Sequence, residues 1–295
     1  MKKYLKNFFS EFDYSEKSQS VLNKAYDSIY ENVEASALFD EVLAAYDASL
    51  DADFDKINET YEKIAAITDI HSYTVGLLTY ICLSKRLREY YRIRGISDEI
   101  FYNSMLDLKY KLKECELVKG IVGSFVCFWF PRFFKMTRFA LGRLQFEVNT
   151  WKRNYTKGNK TIKEGDPVIN VHIPRTETPL LHEDCQRAYA IATNFFKDSF
   201  KETPVAFCCH SWLLMPELSD MLKETSNIKK FASDFDIIEN GYHDQGVYND
   251  VWRLFDTDYN GNLSSLPENT SLRRTYKQYL IDGGREGYGF GIFFA

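Results

Sequence analysis

Apolar residues recur at helical spacing through the part of the chain before Gly120. Val21, Ala25, Ile29 and Val33; Leu38, Val42 and Tyr46; Ile57, Tyr61 and Ile64; Ile70, Leu77 and Ile81; and Ile100, Leu108 and Leu112 fall in turn on one face of a 3.6-residue period. No glycine precedes Gly76 and all seven prolines stand at or after Pro131, so little in this stretch breaks a helix. Asp69 and Ser97 read as N-caps, and Gly95 as the residue that closes a helix. No repeat is visible, which predicts a bundle rather than a solenoid. The run FVCFWFPRFF, Phe125 to Phe134, is apolar on every side, so its period does not separate a buried strand from a buried helix. A helix is the expectation here.

The period then changes from 3.6 to two. Leu144, Phe146 and Val148 alternate with Gln145 and Glu147, the pattern of a half-buried strand, and the polar NYTKGNKTIKEGDP that follows reads as a loop. Beyond it come two short apolar runs, each ending at a histidine, VINVH at Val168 to His172 and TPVAFCCHSWLL at Thr203 to Leu214. The helix-period segment between them makes a strand, crossover helix and parallel strand, so His172 and His210 should lie at the same end of adjacent strands. Ligands of open α/β sheets bind at that end. The crossover helix is expected to start near Pro179 or Leu181 behind a Thr178 cap, with Glu183 and Asp184 in its first turn, and to bury Ala188, Ile191, Ala192, Phe195 and Phe196. Pro216 opens a further helix reaching about Leu222, with Ser211 near its start; Phe235 to Glu239 and Tyr288 to Phe294 read as strands and Leu272 to Ile281 as a helix. The fold class is α+β, an all-α bundle over residues 1–119 followed by a mixed-sheet α/β domain over residues 120–295.

A length of 295 residues, 45% hydrophobic and 16% aromatic, suits two domains with sizeable cores. The net charge of −5 argues against a general nucleic-acid binder. It is uneven, because nine Lys and Arg lie between Arg132 and Lys163 against Glu147 alone. That stretch is either a solvated surface or an electropositive rim for a phosphorylated ligand. MKKYLKNFFSEFDYSEK lacks the apolar core of a signal peptide, and no apolar run approaches a membrane span, so a cytoplasmic protein without membrane association is expected. Six cysteines without metal-type spacing agree, Cys208 and Cys209 being strand neighbours that face opposite sides.

HIPRTETPL from His172, CCHSWLL from Cys208, SNI at Ser226 to Ile228, LPENTSLRR at Leu266 to Arg274 and LGRLQFE at Leu141 to Glu147 are specific motifs. Through them most of the chain resembles a two-domain bacterial acyltransferase family, with a helical N-terminal domain and a GNAT-like (GCN5-related N-acetyltransferase) C-terminal domain. The resemblance implies a sheet whose two central parallel strands splay apart, with the pantetheine of acyl-CoA or acetyl-CoA as co-substrate in the gap, an amine acceptor on a small molecule or peptide, and no metal. On the same basis Val171, Ile173, Arg175, Thr176, Cys209, Ser211 and Trp212 border the cofactor. One departure stands out: Ile173 to Leu181 contains no glycine, where the usual pyrophosphate loop, (Q/R)xxGx(G/A), uses glycines to bring backbone N–H groups close to phosphate.

Direct attack of an amine on a thioester requires a base, and Glu177, His172 and His210 are suited to it by position and ordinary pKa. A histidine ending a strand is equally a structural donor to a carbonyl. The helix MPELSDMLKET lacks the tyrosine commonly placed there, for which Tyr242, Tyr248 or Tyr276 could substitute, while Trp212 lines the pocket or fills the core. Three other readings stay open: a non-catalytic GNAT-derived binding module, favoured by the missing glycines; a Cys/His or Ser/His hydrolase; and a metal site among His172, His182, Glu183, His210, His243 and Asp244, which lack diagnostic spacing. FDTDYNGNLSSLPE places Asp256, Asp258, Asn260 and Gly261 as in an EF-hand, but Pro267 holds the position of the bidentate acid and Glu268 follows one residue late, so a turn-rich loop is expected.

Overall fold

The computed structural model describes residues 1–295, which divide into two compact units, Met1–Phe139 and Ala140–Ala295. Unit 1 is helical: α1 (Lys2–Glu11), α2 (Glu16–Glu31), α3 (Val33–Ala48), α4 (Phe54–Thr68), α5 (Ser72–Ile93), α6 (Asp98–Lys119), a 3-10 turn (Cys127–Trp129) and the single turn α7 (Pro131–Phe134). The periodicity locates the five long helices α2 to α6, and α5 runs through the middle in contact with α1, α2, α3, α4 and α6. Ser97 caps α6 as expected, accepting from the Ile100 N–H, and Gly95 takes φ +68°. Asp69, by contrast, is the C-cap of α4, left-handed at φ 55°, and the His71 imidazole caps α5 instead, accepting from the Tyr73 N–H. A short polar side chain tolerates the left-handed conformation, which is why aspartate serves at either helix end.

FVCFWFPRFF forms short helical turns, not one helix, because Pro131 starts a new turn and the ring contacts are tertiary. Phe130 and Phe134 each lie 5.0 Å from the Tyr80 ring, and the Tyr46 hydroxyl donates to the Phe134 carbonyl at 2.7 Å. Gly76 permits this packing, since a Cβ there would stand 2.9 Å from Cys127 Sγ. The stretch therefore completes the helical core, and the division between units falls about twenty residues beyond the 119/120 boundary drawn from helix-breaking residues.

The sheet consists of β1 (Arg138–Leu141), β2 (Leu144–Thr150), β5 (Pro167–His172), β6 (Ala206–Ser211), β7 (Asp236–Tyr242) and β8 (Gly287–Phe294), in the order β1-β2-β5-β6-β8-β7. β5 and β6 are parallel, while β2–β5, β6–β8 and β7–β8 are antiparallel. The polar stretch read as a loop contains a hairpin, β3 (Tyr155–Lys157) and β4 (Lys160–Ile162). Gly158 at φ +59° supplies the first position of its two-residue turn, a signal inside KGNK that composition hides.

The crossover helix α8 (His182–Phe195) packs on one face, where Tyr189 lies 5.2 Å from Phe207 and 4.9 Å from Phe293. It begins after Leu181 without a side-chain cap, and Thr178 instead bonds Thr176. Ala188 and Ala192 are buried as expected, but Ile191 is exposed and Cys185 and Tyr189 take the inner positions. On the opposite face Trp151, Ile162, Val168, Ala206, Cys208 and Ile292 form a small core under the hairpin. α9 (Pro216–Met221), α10 (Asn227–Ala232), α11 (Trp252–Phe255) and α12 (Ser271–Ile281) complete the unit, with a second core around Leu213, Met215, Phe255, Tyr276 and Leu280. No helix is long and apolar enough to cross a membrane.

Candidate active site

β5 and β6 part company where they reach their carboxyl ends. Their ladder joins Ile169 to Phe207 and Asn170 to Cys208 and stops there, although β5 continues to His172 and β6 to Ser211. Each strand stays anchored on its outer side, Val171 and His172 against β2, and Cys209, His210 and Ser211 against β8. A gap thus opens between two strand edges, with His172 and His210 at the same end, as the crossover reading requires.

Alternation places Asn170, His172, Cys208 and His210 on the face away from α8. Glu147, directly across from Asn170 on β2, joins them. His172 Nε2 lies 2.8 Å from Glu147 Oε1, and Asn170 Nδ2 lies 3.4 Å from that oxygen and 3.1 Å from His172 Nε2. The shorter contact pairs a ring nitrogen with a carboxylate, which can only accept, so Nε2 is the nitrogen held by Glu147. Glu147 is 4% exposed, and the Cys208 thiol donates to Asn170 Oδ1 at 3.7 Å. A buried carboxylate on a half-buried imidazole orients the ring and stabilises its cationic form.

His210 is exposed, with its ring 4.1 Å from that of Tyr288. Partial burial lowers its pKa below the usual 6.5, and the nearby Glu239 carboxylate opposes that shift. The shift favours the neutral imidazole.

The other sequence candidates spread over distinct tasks. Val171 and Cys209 point into the core beneath α8, so they offer the gap backbone groups only. Ile173 and Trp212, on opposite lips, both pack against the second core. Ser211 Oγ accepts from the Leu213 N–H and caps the turn that follows β6. In the loop 173–181, Thr176 Oγ1 donates to the Thr178 carbonyl at 3.0 Å and Glu177 is exposed. Arg175 pairs with Asp256, which also holds Arg273 on α12. The two guanidiniums keep the Asp256 carboxyl below its ordinary pKa against the opposing effect of burial. Asp256, first position of the apparent EF-hand, is thus engaged by arginines, and Glu268 bonds Lys277 at 2.6 Å.

No nucleophile pair forms at the gap. Burial pushes the Cys208 thiol up to about 12 and the Cys209 thiol well above its ordinary value, and Ser211 and His210 face opposite sides. Tyr276 is buried in the second core and Tyr248 is nearly so, while the Tyr242 hydroxyl donates to Glu217. All three belong to or pack against the same core as Ile173 and Trp212. No group of three or more His, Cys, Asp or Glu converges to hold a metal ion. The basic stretch also disperses: Arg138 lies over the Trp129 ring at 3.8 Å, Arg153 and Lys157 pair with Glu239 and Asp236 on β7, and Arg143 reaches the loop 173–181. Sequence reasoning missed Glu147, Asn170, Asp256 and Arg143. The first two had a signal, polar side chains within strands that turn out to be covered on both faces.

The family model of the GNAT-like C-terminal domain matches residues 139–293, and that of the N-acyltransferase N-terminal domain matches residues 3–136. Among solved structures, the chain is similar to an acyltransferase in complex with decanoyl-CoA and teicoplanin, at 22% identity over 98% of this chain and 87% of that one, with a TM-score of 0.76. An acyltransferase mutant in complex with octanoyl-CoA is similar at 20% identity over 99% and 88%, with a TM-score of 0.75. These likenesses establish the two-part α+β fold. No curated protein matches the chain in sequence.

Proposed function

The chain belongs to the family of the GNAT-like C-terminal domain, and on that premise we propose that it moves an acyl group from acyl-CoA to an amine on a small-molecule or peptide acceptor. One observation carries this reading: the β5–β6 ladder ends at Asn170 and Cys208 while both strands continue. The open edges offer N–H and C=O groups to an extended, amide-bearing guest, which is what pantetheine is. The structural relatives crystallised with decanoyl-CoA, octanoyl-CoA and teicoplanin support an acyl-CoA co-substrate and an acceptor of that size. The matches at residues 3–136 and 139–293 support one helical and one GNAT-like domain. Six unbridged cysteines and a CoA co-substrate support a cytoplasmic setting.

His172 is the base. The acceptor enters as the free amine, its extra proton lost to solvent, and attacks the thioester carbonyl; His172 takes the proton that the nitrogen sheds as the C–N bond is completed and the C–S bond breaks. The imidazolium, held by Glu147, then returns its proton to the departing thiolate. His210, on the same face, lines the acceptor side, and Glu177 is an exposed carboxylate on the loop that follows β5. Backbone groups of Val171, Ile173 and Cys209 and the side chains of Arg175, Thr176, Ser211 and Trp212 border the co-substrate.

A thermal-shift titration with acetyl-, octanoyl- and decanoyl-CoA, followed by turnover assays on amines, tests the reading. Saturable stabilisation is expected, since a ligand specific to the native state raises apparent stability by mass action. His172→Ala should retain binding and lose about 10² to 10⁴ in kcat. The alternative of a non-catalytic binding module draws on a specific observation, a loop without glycine leading into a helix whose first turn holds Glu183 and Asp184. Absence of any acyl-CoA binding by the wild type would establish that alternative.

A further inference from the structure

The loop 173–181 does without glycine, and the structure shows what takes its place. Arg143, in the turn between β1 and β2, spreads its guanidinium over three loop carbonyls: Nη1 donates to Pro174 at 3.1 Å, Nη2 to Thr178 at 3.3 Å and Nε to Pro179 at 3.3 Å. A single planar fork thereby fixes backbone groups spread over six residues. Two of them are prolines, whose own φ is locked and whose preceding residues are held extended. The turn that carries Arg143 is itself seated on α8, since a Cβ on the neighbouring Gly142, at φ +68°, would stand 3.4 Å from Ala188 Cβ. At its other side the loop is tied through Arg175 to Asp256.

We infer that Arg143 is a positioning residue for acyl-CoA: it holds the loop between β5 and α8 in its binding conformation, the task that glycine-rich sequences accomplish by backbone freedom. This rests on the acyltransferase reading. Because the three carbonyls turn toward the guanidinium, the loop's shape is set by side-chain chemistry outside it, and the N–H groups at the start of α8, which has no side-chain cap, keep a defined place relative to the gap. Lysine is not an equivalent. Its single ammonium cannot span three acceptors in fixed geometry, so charge is conserved and the clamp is lost.

The experiment compares wild type with Arg143→Lys and Arg143→Ala by steady-state kinetics against decanoyl-CoA and by hydrogen exchange of residues 173–181. Loss of two or all three of these charge-assisted hydrogen bonds predicts a KM for acyl-CoA raised about tenfold or more in both variants, kcat within about threefold of wild type, and faster exchange confined to the loop. If Arg143→Ala does not fold, Arg143→Lys decides. Unchanged exchange in a folded variant overturns the clamp, and a fall in kcat at constant KM overturns the positioning role. Wild type that binds no acyl-CoA overturns the acyltransferase reading and the cofactor role with it, while the exchange data still report separately on the clamp.

Discussion

Glu147 occupies a position where strand alternation calls for a solvent-facing residue, yet it is 4% exposed and bonded to His172 at 2.8 Å. A carboxylate withdrawn from water is retained at a cost that structural convenience alone does not explain. Glu147→Gln keeps the shape and a hydrogen-bonding side chain but removes the charge that stabilises the imidazolium. Turnover should fall by about tenfold or more with acyl-CoA binding unchanged, as is usual when the partner of a functional histidine is altered. Full kcat in that variant would make the pair structural. His210 supplies a second test, by pH. Its pKa lies below 6.5, so it gains charge only as pH falls beneath that value, and the new cation then repels an ammonium acceptor. The KM for the acceptor should rise on the acid side of pH 6.5. Glu239→Gln removes an interaction that favours the charged form, which shifts the rise to still lower pH, and His210→Asn should abolish it.

The strand GYGFGIFF, β8, lies between β6 and β7 and carries glycine at alternate positions. At Gly289 an added Cβ would stand 2.1 Å from the Leu214 carbonyl oxygen, so the turn after β6 rests on bare backbone. Gly289→Ala should therefore destabilise the protein by about 1–3 kcal/mol or more through overpacking, measurable as a lower denaturant midpoint. An unchanged midpoint would show that the turn relaxes freely. Which elements the sequence made legible follows the same physics. The long helices of unit 1 and the strands before His172 and His210 were readable because one period dominates each. The hairpin at Lys157 to Lys160, α10, α11 and FVCFWFPRFF were not, since they are too short to show a period and tertiary contacts decide their form. Of the site, the two histidines were visible as strand ends. Their partners were not, because Glu147 reaches His172 across strands, Arg143 grips a loop more than thirty residues away, and Arg175 meets Asp256 from another loop entirely.

At the scale of the molecule, a net charge of −5 gives a CoA polyanion no general attraction, and the basic residues between Arg132 and Lys163 are largely occupied with local partners. Recognition falls to a few fixed groups around one gap in the sheet. That gap is also a pair of open strand edges inside a folded protein, and exposed edges are the templates through which chains aggregate. The co-substrate that fills the gap would double as a guard against self-association: incubated at high concentration, the protein should scatter light sooner without CoA than with it, and an extended peptide able to add a strand should compete with CoA for the same seam.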